Sequence, residues 1–175
     1  MRLLTAIFLS ISIPLNANIL WCESEQSRFK HVIYLADDFI GGSSSSSRGT
    51  ICERFMWFSD NAINTNINGK YDRSYPSMDS WINSVKKKKG RGCHIGTKEP
   101  NYYAWLPYGS SDNSRILYRK SLEFSAKLGR GFDFVSMSCR VSNENEIVLR
   151  WEELEKKQID TNKRIAAKLE SENQI

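Results

Sequence analysis

The residues able to do chemistry in this chain of 175 are a basic run and a few scattered proton carriers. Lys86-Lys87-Lys88-Lys89-Gly90-Arg91 sets five positive charges beside one glycine. Such a run is either a solvated loop or an electrostatic patch for phosphates, which adds affinity without reading a base sequence. Tyr71, Tyr75 and Trp81 precede it, and aromatics beside cations are how single-stranded RNA is held. Only two histidines exist, His31 and His94. The first falls in a stretch that reads as helix, the second beside Cys93 on a strand flank. The four cysteines, Cys22, Cys52, Cys93 and Cys139, include no pair two to four apart, as a zinc site would prefer. Neither a metal nor another cofactor is expected. An even count suits two disulfides, with three connectivities open.

The elements that must carry these groups centre on Tyr102-Tyr103-Ala104-Trp105-Leu106-Pro107. Three aromatics in four residues, stopped by a proline, read as a strand that ends abruptly. Tyr108 to Ser114 is turn material. Arg115 to Arg119 then alternates, with Ile116 and Tyr118 on one face and Leu117 on the other. The pair reads as a core hairpin with Trp105 inside and Arg115 free toward an open face. Asn18 to Ser24 reads as a first strand. Ser27 to Ile40 has apolar residues at Phe29, Val32, Ile33, Leu35, Ala36 and Phe39, which predicts a helix ended by Gly41-Gly42. Ser43 to Ser47 reads as a flexible loop. Ile51, Phe55 and Phe58 suggest a second helical piece carrying Cys52, and Trp81 to Val85 a short strand. Gly129-Arg130-Gly131 predicts a turn and Phe132 to Cys139 a last strand. From Asn143 the spacing of Ile147, Trp151, Leu154, Gln158, Ile159, Ala166 and Leu169 among dense charges predicts an amphipathic helix of about three to six turns.

Met1-Arg2 and the apolar run Leu3 to Ile13 read as an export signal over residues 1–18, too short to span a bilayer. A body over residues 19–140 and a helical extension over residues 141–175 follow. No later apolar run would hold the chain in a membrane, so it is expected to be secreted, soluble and monomeric. No Asn-x-Ser/Thr acceptor occurs. The formal charge of +5 is uneven: the segment from Arg140 onward is net −1, and residues 19–139 are net +5. A moderately basic body suits a polyanion such as RNA.

In order, the early Cys22 beside Trp21, a helix with a second Cys, Tyr75-Pro76, Tyr102 to Pro107, Ser114-Arg115-Ile116-Leu117 and the late Cys139 resemble the small fungal guanyl-specific ribonucleases. The pattern is most similar to the RNase-like secreted effector proteins of powdery mildew fungi. The resemblance covers about residues 20–140. It implies an α+β fold, with one main helix packed on a twisted antiparallel β-sheet, to which the C-terminal amphipathic helix is added. It also implies disulfides Cys22–Cys139 and Cys52–Cys93. In the family a Glu takes the ribose hydroxyl proton; Ala104 stands in that position. Ser77 stands where a His follows Tyr-Pro, and the strand Phe132 to Cys139 holds no histidine for the general acid. Proton transfer is therefore expected to be lost. Arg115 matches the phosphate-contacting arginine and Tyr75 the active-site tyrosine. With Tyr103, Lys86, Lys87, Lys88, Lys89 and Arg91 they compose the expected RNA-contacting set.

Three functions follow from these residues. The first is a secreted effector with a catalytically inactive ribonuclease-like fold, acting inside host cells on host RNA or a host protein. The second is an active ribonuclease with relocated groups, such as His94 with Glu99 or Glu123. The third is a protein-interaction module, using the terminal helix and the charged loop, in which RNA plays no part.

Overall fold

The computed structural model describes residues 19–24, 28–41, 46–64, 77–88, 90–107, 114–127 and 134–172. The export signal, Tyr71, Tyr75, Lys89 and most of the serine run lie outside them. Nine strands and two helices follow in the order β1 (Ile19–Glu23), β2 (Phe29–Leu35), β3 (Ile40–Gly41), β4 (Ser47–Trp57), α1 (Met78–Val85), β5 (Cys93–Lys98), β6 (Tyr102–Trp105), β7 (Arg115–Tyr118), β8 (Glu123–Lys127), β9 (Phe134–Val141) and α2 (Glu144–Glu172). Every pairing is antiparallel. Two-residue β3 only extends the sheet beside β4; the other eight strands close on themselves. Around the ring each strand neighbours the next in sequence, and β9 returns to β1. This is an up-and-down barrel, which leaves no long open edge.

The expected helix on a twisted sheet is thus corrected to a closed barrel. Ser27 to Ile40 is the decisive difference, because its core is strand β2. His31, Ile33 and Leu35 point into the barrel, while Val32 and Tyr34 pack outward under the helices. A strand buried on both faces loses its alternation, and its apolar residues then mimic a helical stripe. Ile51 and Phe55 are likewise neighbours on one face of β4, four residues being an even spacing as well as a helical one. Trp81 to Val85 errs in the opposite sense. It belongs to helix α1, whose Met78, Trp81, Ile82 and Val85 are all buried and whose Ser77 hydroxyl caps the N–H of Ser80. The hairpin β6–β7 and the strand β9 lie where the sequence places them.

Two apolar layers result. Inside the barrel, Leu20, Ile33, Leu35, Ile51, Tyr103, Trp105, Leu117, Phe124 and Met137 fill the lumen. This matches the general size of an eight-stranded barrel, just wide enough for side chains to pack. Outside, Trp21, Val32, Met78, Trp81, Ile82, Ile147 and Trp151 form a second cluster between the β1–β2–β4 wall and the two helices. The disulfides Cys22–Cys139 and Cys52–Cys93 are the pairs the resemblance implies. Each joins directly opposed residues of neighbouring strands, β1–β9 and β4–β5. Two disulfides fit an oxidising compartment. No helix among the described residues is long and apolar enough to cross a membrane.

Candidate functional site

The titratable groups buried in the lumen gather around Glu53. In β4 the inward positions are Ile51, Glu53 and Phe55, and Glu53 stands opposite Ile33 of β2. Its backbone is fixed by Gly92, whose carbonyl accepts the Glu53 N–H at 2.7 Å. Gly92 has φ +88°, and a Cβ there would lie 2.4 Å from the Glu53 carbonyl oxygen. Only glycine serves both demands. His31 of β2 reaches Glu53 Oε2 through Nε2 at 2.9 Å, and Arg115 of β7 donates Nε–H to the same oxygen at 3.2 Å. His94 of β5 brings Nε2 to 3.9 Å from Oε1. The Arg115 Nη1 also donates to the carbonyl of Lys127.

Aromatic rings enclose this cluster. His31 stacks on Phe55 at 5.2 Å between ring centres and meets Phe124 edge-on at 4.9 Å. Phe124 in turn stacks on Trp105 at 5.6 Å. His31 is fully buried and Arg115 is 3% exposed. The His94 side chain, 14% exposed, is the part of the cluster that meets solvent most.

Protonation follows from this enclosure. Burial alone would raise the Glu53 carboxyl. The hydrogen bond from His31 and the facing positive charge, permanent in Arg115, outweigh it and hold the carboxyl below its ordinary value. Burial pulls His31 below its ordinary value, with Arg115 adding to that and Glu53 opposing. Its Nδ1 has no hydrogen-bond partner. A neutral ring that donates Nε2–H to Glu53 leaves only a lone pair there, far cheaper than a buried orphan N–H. His94 is also lowered, first by burial and then by Arg115. Glu53 and Arg115 thus form a buried ion pair, with neutral His31 as its third member.

The sequence-selected residues do not form one surface. Arg115 faces the lumen with a carboxylate partner, not an open face. Tyr103 is also internal, in edge contact with Phe39 and under the Arg119 guanidinium. Lys86 and Lys88 lie outside, past the end of α1. Lys86 pairs with Glu144 at 2.5 Å, and Lys88 with Asp37 at 3.2 Å and Asp38 at 3.6 Å. Lys87 and Arg91 are exposed. Ala104 stands opposite Ile116 on the outer face, whereas Arg115 stands opposite Trp105 inside. The position expected to lack a base and the retained arginine are therefore on opposite sides of the sheet. The carboxylate beside His94 is Glu53; Glu123 instead accepts from the Ser136 hydroxyl at 2.7 Å. Sequence reasoning missed Glu53 altogether. Its one signal was an acidic residue flanked by Ile51, Cys52 and Phe55.

No family model, no curated protein and no solved structure matches this chain. Geometry alone therefore decides what the site can do. A buried carboxylate held by an arginine and an imidazole, with Phe55 and Phe124 against that imidazole, is built to stay ionised and in place. It fastens β2, β4 and β7 across the lumen.

The outer wall is the second candidate. Both helices cover β1, β2 and β4, and on β5 to β7 the outward residues are Ile95, Thr97, Tyr102, Ala104, Leu106, Ile116 and Tyr118. Tyr102 stands directly opposite Tyr118, and Ala104 opposite Ile116. Ile95 is 72% exposed, Leu106 46%, Tyr118 41% and Tyr102 37%.

Proposed function

We propose that this chain is a secreted, disulfide-locked binding protein without turnover of its own, and that it engages a protein partner through the outer wall of β5 to β7. The observation that carries this reading is the uncharged patch of Ile95, Tyr102, Leu106, Ile116 and Tyr118 on the side of the barrel opposite the helices. Scattered exposed apolar residues are ordinary, but adjoining aromatic and aliphatic ones are typical of docking surfaces. Tyrosine in particular gives large contact area at low entropy cost. The closed barrel offers no strand edge in this wall, so recognition there is by side chains.

Two further observations support the binding reading. Lys86 and Lys88 already face carboxylates, which weakens the basic run as a phosphate patch. Ser77, the residue in the expected histidine position, spends its hydroxyl on capping α1.

The test compares the mature protein with the double variant Tyr102→Asp, Tyr118→Asp and with Lys87→Glu, Arg91→Glu. Immobilised wild type should retain a specific protein from its working milieu, the tyrosine variant should lose it, and the basic-run variant should keep it. Tight binding of a single-stranded RNA oligonucleotide, falling steeply with salt and lost in the basic-run variant, overturns the reading in favour of RNA. Concentration-dependent dimerisation abolished by the tyrosine changes overturns it in favour of a second copy of the chain. Retention that is indifferent to the tyrosines removes the wall as the interface.

A further inference from the structure

We infer that the cleft between α2 and the β1–β2 end of the barrel binds a small organic anion carrying an apolar group. This cleft is separate from the wall of β5 to β7 and lies on the helix-covered side of the molecule. It measures about 440 Å³, and its lining includes Arg28, Lys30, Phe58, Leu154, Lys157 and Gln158. That volume falls within the general range of small-molecule sites, about 300–1,000 Å³.

The lining explains the ligand class. Phe58 and Leu154 make an apolar floor, and Phe58 is held edge-on against Trp151 at 5.8 Å. Gln158 forms the back wall and has no N–H left to offer an anion. Its Oε1 accepts from the Ser59 N–H, and its Nε2 donates to the Ala62 carbonyl and the Asn162 side chain. The rim carries three cations, Arg28, Lys30 and Lys157, against two carboxylates. Both carboxylates already face cations. Glu23 faces Arg150 at 2.6 Å and Lys30 at 3.3 Å, and Asp60 faces Lys157 at 2.9 Å. The same pairs engage Lys30 and Lys157, so the rim keeps one positive charge in excess, that of Arg28. A monoanion meets that single excess charge at Arg28, and its apolar part meets Phe58 and Leu154.

The floor is also rigidly made. Segment 58–64 is tied to α2 by the Gln158 bonds, by Asn162 on both the N–H and the carbonyl of Asn64, and by Arg164 on the Asp60 carbonyl. A cleft between two elements so joined is preformed, which spares a ligand the cost of ordering it.

Fluorescence titration of the full chain with anilinonaphthalene sulfonate, set beside the uncharged N-phenylnaphthylamine, tests the inference. The sulfonate should bind saturably and one-to-one, and much more tightly than the uncharged probe. Arg28→Glu should weaken the sulfonate by about tenfold or more, in line with loss of a charge-assisted contact. It should leave the uncharged probe unchanged. Leu154→Ser should weaken both, and the remote control Lys120→Glu neither. Equal affinity for the two probes, non-saturable binding, or an Arg28→Glu protein that binds the sulfonate as wild type does would each overturn it. Far-ultraviolet circular dichroism of each variant separates a lost site from a lost fold.

Discussion

At the residue scale, Glu53 and His31 convert burial into a pH dependence whose sign can be worked out. His31 is held below its ordinary value of 6.5 in the folded protein, so between that lowered value and 6.5 the unfolded chain binds more protons. Stability then rises with pH through this window and is fully present above it. As pH falls through 6.5 the imidazole takes up its proton only in the unfolded chain, which draws the equilibrium toward unfolding. Glu53, also lowered, adds a loss of the same sign below its ordinary value of 4.5. Urea midpoints measured from pH 8 down to pH 4.5 should therefore decline from about pH 6.5. His31→Gln, which can still donate to Glu53, should flatten most of that decline, the remainder belonging to His94. A His31→Gln protein with the wild-type slope would contradict the assignment. Arg115→Met is the harsher change. It leaves the Glu53 carboxylate buried without its permanent counter-charge, the kind of loss that costs about 3–5 kcal/mol.

At the element scale, the same enclosure decides what the sequence could reveal. The hairpin β6–β7 was legible because one face of each strand is open, so buried Tyr103, Trp105, Arg115 and Leu117 alternate with exposed or half-buried residues. Strand β2 was not, since Ile33 faces the lumen and Val32 the helices. Glu53 was hidden for a related reason: an acid inside a barrel is recognisable only once His31, 22 residues away, and Arg115, 62 residues away, are brought to it. Helix α2 was legible in place and in amphipathy, but its 29 residues exceed the expected length. Past its midpoint Gln158, Asn162 and Arg164 tie it to segment 58–64 by specific polar bonds, which no periodicity announces. Its first half is anchored by Trp151, fully buried, edge-on to Trp21 at 6.4 Å and under the Arg54 guanidinium. Trp151→Ala should lower unfolding free energy by about 3–5 kcal/mol. Leu169→Ala, on an exposed part of the same helix, should stay within about 0.5 kcal/mol. Equal losses would mean that α2 does not dock as described.

At the scale of the whole molecule, the barrel depends on two junctions that the meander does not close by itself. One is β1 against β9, where the first and last strands of the ring meet. The other is β4 against β5, whose connection holds α1 and is the longest in the ring. Each carries a disulfide, Cys22–Cys139 over a separation of 117 and Cys52–Cys93 over 41. The remaining neighbours are joined by shorter connections, whose closure is cheaper. In the chain-entropy account the first bridge is worth about 5 kcal/mol and the second about 4 kcal/mol. Domains of this size have a total of about 5–15 kcal/mol, so losing either pair leaves a marginal protein. Both Cys22 and Cys139 are buried, so the test replaces the pair with alanine to avoid burying new hydroxyls. Urea unfolding of Cys22→Ala, Cys139→Ala should show a loss of about 4–5 kcal/mol, and Cys52→Ala, Cys93→Ala slightly less. Hydrogen exchange then localises the effect. Opening without the first bridge should begin at β1 and β9 while the β6–β7 hairpin keeps its protection. A uniform loss of protection, or one that starts in β6–β7, would mean that the ring is not held shut at this seam.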